Sequence, residues 1–132
     1  MGNTPIQRAN FEDVQSAQET ALLISVFATD EQSVLIAGTI RINDEVAAVE
    51  DALKRKIPII VYGRNVDDIT AITKCAQLQS LGSKPYLYAG GLFEWLLLQD
   101  VYGNELFPTT NITVDLLRYK PKSTLMKRYL TN

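Results

Sequence analysis

The chain has no histidine and one cysteine, Cys75, in 132 residues. Losing histidine removes the commonest general base and the commonest nitrogen ligand for a metal. A Ser-His-Asp triad, a Cys-His pair and a histidine zinc site are therefore excluded. A single thiol excludes an internal disulfide and a thiolate metal cluster. The side chains that remain for chemistry gather in one stretch, Gly63-Arg64-Asn65-Val66-Asp67-Asp68-Ile69. Two adjacent carboxylates at the start of a helix are expected to act as caps, Asp67 or Asp68 taking that role. With Asn65 they would be the donor set for a hard cation such as Mg²⁺. Adjacent side chains at a helix start diverge, so no metal and no cofactor are expected. No nucleophile sits beside a base here: Tyr62 belongs to a strand and Thr70 to a helix. Cys75 reads as a buried helix residue behaving as a small hydrophobe, too far along to serve the stretch.

The strand that must position these residues is Ile57-Pro58-Ile59-Ile60-Val61-Tyr62, β-branched, uncharged and led by a proline near its start. A helix follows to about Leu81 and closes at Gly82. Ile69, Ile72, Cys75 and Ala76 are expected near its buried face. Upstream, Asn10 precedes Phe11-Glu12-Asp13-Val14 and caps a helix running to about Thr20. Ala21–Phe27 is apolar on both faces and reads as a central strand. Val34–Ile36 and Thr39–Ile42 read as short extended pieces around Gly38. Asn43-Asp44-Glu45 caps a helix through Lys56, with Val46, Val49 and Leu53 at helical spacing. Pro85–Tyr88 is the last strand, and Gly90-Gly91 turns it tightly into a helix over Leu92–Gln99. Strands alternating with helices imply right-handed crossovers. The expected class is α/β, a parallel central sheet with helices on both faces.

Length sets one domain, and a chain of this size buries roughly 65–70% of its unfolded surface. The apolar fraction, 46%, is that of a globular protein. No apolar run approaches the roughly 20 residues that span a bilayer. The N-terminus lacks the basic and apolar regions of a signal peptide. An intracellular protein with no membrane partner is expected. Charge is uneven. Residues 111–132 carry five basic and one acidic side chain, +4, against 8 basic and 14 acidic, −6, in residues 1–110. The acidic body argues against nucleic acid. The expected division is a domain over 1–110 and a basic C-terminal extension over 111–132. In the extension Arg118, Lys120, Lys122, Leu125, Met126, Lys127, Arg128, Tyr129 and Leu130 interleave cations with apolar groups. Pro121 splits it into pieces too short to be stable helices alone. The core is expected to close near Thr110, and the extension to order on a protein partner.

Four segments, in order, resemble a rhodanese-like domain over roughly residues 10–107. Ile24-Ser25-Val26-Phe27 stands where that family ends a strand in Asp-x-Arg. Leu35-Ile36-Ala37-Gly38-Thr39-Ile40 matches His-Ile-Pro-Gly-Ala-Ile at Ile36, Gly38 and Ile40 only. Val61-Tyr62 fits the strand before the active-site loop, and Gly90-Gly91 with Trp95 fits the closing strand-to-helix turn. Fold-making residues match; residues that do the chemistry do not. In active members the loop opens with the nucleophilic cysteine, and here it opens with Gly63. The run Phe93–Gly103 with Phe107-Pro108-Thr109-Thr110 resembles a subgroup found in protists and large DNA viruses.

The resemblance implies a loop whose backbone N–H groups and helix N-terminus cradle an anion. Asp67 and Asp68 would repel such an anion, with Arg64 offsetting part of this. The reading is a catalytically inactive sulfurtransferase homologue, a non-catalytic module for protein interaction or assembly. The narrower expectation is a minor structural protein of a large DNA virus particle, in the virion. The alternatives are a small-anion or small-ligand sensor, or a residual sulfurtransferase or phosphatase-type enzyme.

Overall fold

The structure, a computed structural model, describes residues 5–113 and 115–125. Its elements are β1 (Gln7–Ala9), α1 (Phe11–Gln15), α2 (Ala17–Thr20), β2 (Leu22–Ser25), α3 (Glu45–Arg55), β3 (Ile59–Tyr62), α4 (Ile69–Ser80), β4 (Pro85–Tyr88) and α5 (Gly91–Tyr102). Single 3-10 turns lie at Thr29–Glu31, Ile42–Asp44 and Leu116–Tyr119. The four strands form one parallel sheet in the order β1-β4-β3-β2. Ile24 pairs with Val61 and Val61 with Leu87, so the apolar residues stay in register across three strands.

The pleat sends alternate side chains to opposite faces. Leu23, Ile60, Tyr62 and Tyr88 enter a core with Val14, Leu92, Trp95 and Phe107. Ile24, Ile59, Val61 and Leu87 enter a second core with Val49, Ala52, Ala71, Cys75 and Leu78. Both faces of β3 are buried throughout, which is why its sequence reads as a continuous apolar run. The α/β class with a parallel sheet between two helical layers is as the sequence predicts.

Several elements differ from expectation. The helix expected over residues 10–20 is two short ones, broken at Ser16, whose hydroxyl donates to the Asp13 carbonyl (3.1 Å). Asn10 does cap it: its Oδ1 accepts from the Asp13 N–H and the Asp13 carboxylate accepts from the Asn10 N–H. Strand β1 carries no apolar alternation. Gln7 and Arg8 are exposed at a sheet edge, where a charged residue suits the unpaired side. Strand β2 is not central but the opposite edge. Its apolar outer side is covered by the chain itself: Thr39 bridges Leu23, and the Ile40 N–H donates to the Leu23 carbonyl (2.9 Å). Beyond single bridges, Leu23 to Thr39 and Ile36 to Thr109, residues 34–40 make no strand. In α4 the buried face is Ala71, Cys75 and Leu78, while Ile69 and Ile72 are exposed. In α3 Val49 is buried and Val46 exposed, since the inward stripe runs through Ala52. Helix α5 extends one turn past its expected end, to Tyr102.

Trp95 is 1% exposed. Its indole N–H donates to the Pro108 carbonyl (3.0 Å), and its ring meets Tyr88 and Phe107 edge to face at 6.3 and 5.0 Å. One side chain thus ties α5, β4 and the segment after α5 together. Trp95→Ala is expected to cost about 3–5 kcal/mol, read as a lowered midpoint in chemical denaturation; an unchanged midpoint would place the indole outside the core.

Candidate functional site

The residues singled out above form the β3–α4 turn. Gly63 is buried at the end of β3, and Asp68 is the N-cap of α4. The Asp68 carboxylate points back into the turn. One oxygen, Oδ2, accepts from the Arg64 N–H (2.8 Å). The other, Oδ1, accepts from the Thr70 N–H (3.0 Å) and the Thr70 hydroxyl. A Cβ on residue 63 would lie only 2.7 Å from the Asp68 Cγ, with a carboxylate oxygen closer still. The space where a residue-63 side chain would begin is occupied by the chain's own carboxylate.

The two acidic residues therefore do not stand together at a mouth. Asp68 is turned inward, and Asp67 is exposed, its N–H donating to Asn65 Oδ1 (2.9 Å). Asn65 Nδ2 donates to the Tyr119 carbonyl (2.9 Å). Of the three residues weighed for Mg²⁺, Asp68 faces into the turn, Asn65 Nδ2 serves the Tyr119 carbonyl and Asp67 is exposed. Among the described residues no cluster of three acidic or cysteine side chains stands in metal-binding geometry.

The turn is also held from the far side of β4. The Leu92 and Phe93 N–H groups of α5 donate to the Gly63 and Arg64 carbonyls (2.9 and 3.0 Å). This approach requires Gly91, which has φ 66°, and whose added Cβ would sit 2.6 Å from the Gly63 oxygen. Val66 and Ile69 are exposed at the rim.

A third contact comes from the C-terminal extension. Arg64 Nη2 donates to the Arg118 carbonyl (2.9 Å), and its guanidinium lies 4.8 Å over the Tyr119 ring. Arg64 also faces Glu31 at 3.6 Å. Tyr119 is 3% exposed and meets Phe27 edge to face at 6.5 Å. This corrects the expectation that the core closes near Thr110: the chain returns at Leu116–Tyr119 and completes it. Of the residues assigned to a partner, Arg118, Lys120, Lys122 and Leu125 are exposed. Met126, Lys127, Arg128, Tyr129 and Leu130 lie outside the described residues.

Burial favours the protonated form of three hydroxyl and thiol groups in the core. Tyr62 points inward, accepting from the Ile36 N–H (3.1 Å) and pairing with the Thr39 hydroxyl (2.7 Å). Burial holds its hydroxyl far above the usual phenol range, and those two bonds offset only part of this. Tyr88 is pushed up by burial first and by the nearby Glu94 carboxylate second, although its hydroxyl makes no well-formed hydrogen bond. Burial pushes the Cys75 thiol up to about 11.

A feature the sequence did not disclose lies beside α4. A cavity of about 350 Å³ is lined by Ser25, Phe27, Ile42, Thr73 and Gln77, with the Lys74–Glu45 ion pair on its wall. The pair joins residues far apart in sequence on different helices, so no local motif marks it.

No model of a known protein family matches the chain, and no curated protein matches it. Solved structures do. The BH2092 protein of Bacillus halodurans is similar at 18% identity over 74% of each chain, TM-score 0.57. The Alr3790 protein of Anabaena sp. is similar at 20% identity over 92% of this chain and 91% of its own, TM-score 0.56. A full-length protein of Lactobacillus plantarum is similar at 18% identity over 80% and 88%, TM-score 0.55. The shared property is the fold, an α/β domain consistent with the rhodanese-like resemblance of the sequence. The described residues contain no helix long and apolar enough to cross a membrane.

Two outcomes follow from this geometry. Gly63→Ala should destabilise by about 1–3 kcal/mol through overpacking, and by less in an Asp68→Gly background. A double-mutant cycle in denaturant checks this, and strict additivity would show that the two positions do not meet. Cys75, with its raised thiol pKa, should react with a thiol reagent at pH 8 only at the rate of unfolding; prompt reaction in the native state would mean the thiol is accessible.

Proposed function

We propose that this chain is a non-catalytic rhodanese-like module that acts in protein interaction or assembly. The observation that carries the reading is the Asp68 carboxylate lying where the side chain of residue 63 would begin. In the family the sequence resembles, that position opens the loop with a nucleophilic cysteine. Here glycine supplies no nucleophile, and an internal carboxylate takes the inward N–H groups of Arg64 and Thr70. An incoming anion would have to displace it. A fold carries no obligation to a function, and this one keeps its packing while its loop is internally satisfied.

The exposed cations Arg118, Lys120 and Lys122 favour a partner with an acidic surface. Placement in the particle of a large DNA virus rests on the resemblance of the Phe93–Gly103 run. Quantitative mass spectrometry of purified particles would decide it. The runner-up, a small-ligand sensor, draws support from the cavity beside Lys74 rather than from the loop.

Purified protein is expected to show no thiosulfate:cyanide sulfurtransferase and no phosphatase turnover. Gly63→Cys alone should not create strong activity, because the new side chain meets Asp68. Turnover by the unmodified chain that disappears in Cys75→Ser would overturn the non-catalytic reading.

A further inference from the structure

We propose that the surface made by Phe27, Arg64 and Asn65 is a peptide-binding site, occupied in this chain by its own Leu116–Tyr119 strap and open to exchange for a partner segment of the same chemistry. That chemistry is an aromatic residue whose own and preceding backbone carbonyls are free to accept hydrogen bonds. The proposal rests on the reading of the chain as an interaction module and names the site and ligand of that interaction.

The site has the parts of a peptide receptor. Arg64 and Asn65 donate to two successive backbone carbonyls, those of Arg118 and Tyr119 (2.9 Å each). Such bonds read main chain, whatever its side chains. Specificity comes from the aromatic knob, since Tyr119 inserts against Phe27 and under the Arg64 guanidinium. Main-chain hydrogen bonds with one side-chain pocket are a recurring mode of segment recognition. Recognition uses the Arg64 guanidinium and the Asn65 amide, whereas the Asp68 carboxylate binds the Arg64 backbone N–H.

The strap is held through few side chains. It is a single 3-10 turn of four residues, and of these Tyr119 alone is buried. Asn111, Ile112 and Asp115 ahead of it are exposed and belong to no helix or strand, so the strap, which packs against α5, can swing away about an irregular segment. Leu117 and Leu125, 57% and 69% exposed, flank the knob and offer a partner its first contact. Because the strap is tethered, a competing segment faces an effective concentration on the order of millimolar. The site in the intact chain should therefore bind a free peptide weakly, and more tightly once the knob is removed.

The test uses the full chain carrying Tyr119→Ala and a fluorescent peptide of residues 113–125. Saturable binding by polarisation is expected, with a rise in melting temperature on saturation. The same peptide with alanine for its tyrosine should bind about 30-fold more weakly or worse. The unmodified chain should bind the tyrosine peptide more weakly than Tyr119→Ala does, and Arg64→Ala in that background should weaken it again. A cooperatively folded Tyr119→Ala chain that shows no saturable binding, or binds both peptides alike, overturns the proposal. Should Tyr119→Ala not fold, a protease site placed at residues 111–113 of the full chain and cut after folding replaces it. Displacement of the cut fragment by excess labelled peptide then supports exchange, and failure to displace it while the domain stays folded overturns it. A native partner that binds the full chain indifferently to excess peptide would remove this site and leave the interaction reading standing.

Discussion

One carboxylate organises the β3–α4 turn. Asp68 caps α4 through the Thr70 N–H and closes the turn through the Arg64 N–H. For both bonds to form, its carbon atoms must lie where residue 63 would carry a side chain, so glycine is required there. With the turn drawn this tight, the Gly63 and Arg64 carbonyls face outward to the start of α5 and accept from Leu92 and Phe93. Those bonds set the position of α5, and the next turn of α5 carries Trp95 into the core. Cap, turn, helix approach and core anchor form one chain of dependence. A neutral cap would keep some of it, but the charge-assisted bonds to Arg64 and Thr70 are the stronger kind.

The same constraint decides what the turn can do. A loop that opens β3 onto a helix N-terminus is suited to hold an anion, because unpaired N–H groups and the helix dipole favour negative charge. Here the negative charge comes from within the chain. It is tethered and hydrogen-bonded, so an external anion has both a steric and an electrostatic competitor. The arrangement stabilises the fold, and an anion entering the loop would meet that same contact.

Strands β3 and β4, helix α4 and the Gly-Gly turn were legible because each is signalled locally. Ile59–Tyr62 is uncharged and β-branched, Pro85–Tyr88 is bounded by a lysine-proline pair and two glycines, and Asp68 is a capping residue before an apolar-periodic run. What was not legible depends on pairing at a distance. Strand β1 is a strand only because β4 offers it an edge. Strand β2 reads as central because both its faces are apolar, yet it owes the cover of its outer side to Thr39 and Ile40. In the site, the sequence names the residues of the turn and not the directions of their side chains. Asp67 and Asp68 look equivalent in sequence, and only the φ and ψ of the cap separate an inward carboxylate from an exposed one. Tyr119 looked like one more apolar residue in a basic tail, because nothing near it marks the Phe27 surface, which is distant in sequence.

Arg64 shows why the extension belongs partly to the domain. In sequence it is the one cation of the loop and the natural partner for an anion. In the structure its guanidinium serves the Arg118 carbonyl, the Tyr119 ring and, at 3.6 Å, Glu31. The Glu31 contact is half exposed and contributes little, as surface ion pairs do. The carbonyl and ring contacts matter more, because they hold a strap whose one buried side chain completes the core. Re-aiming Arg64 toward an anion in the loop would release its bond to the strap and uncover Tyr119. An anion in the loop would therefore have to compete with the strap for one side chain.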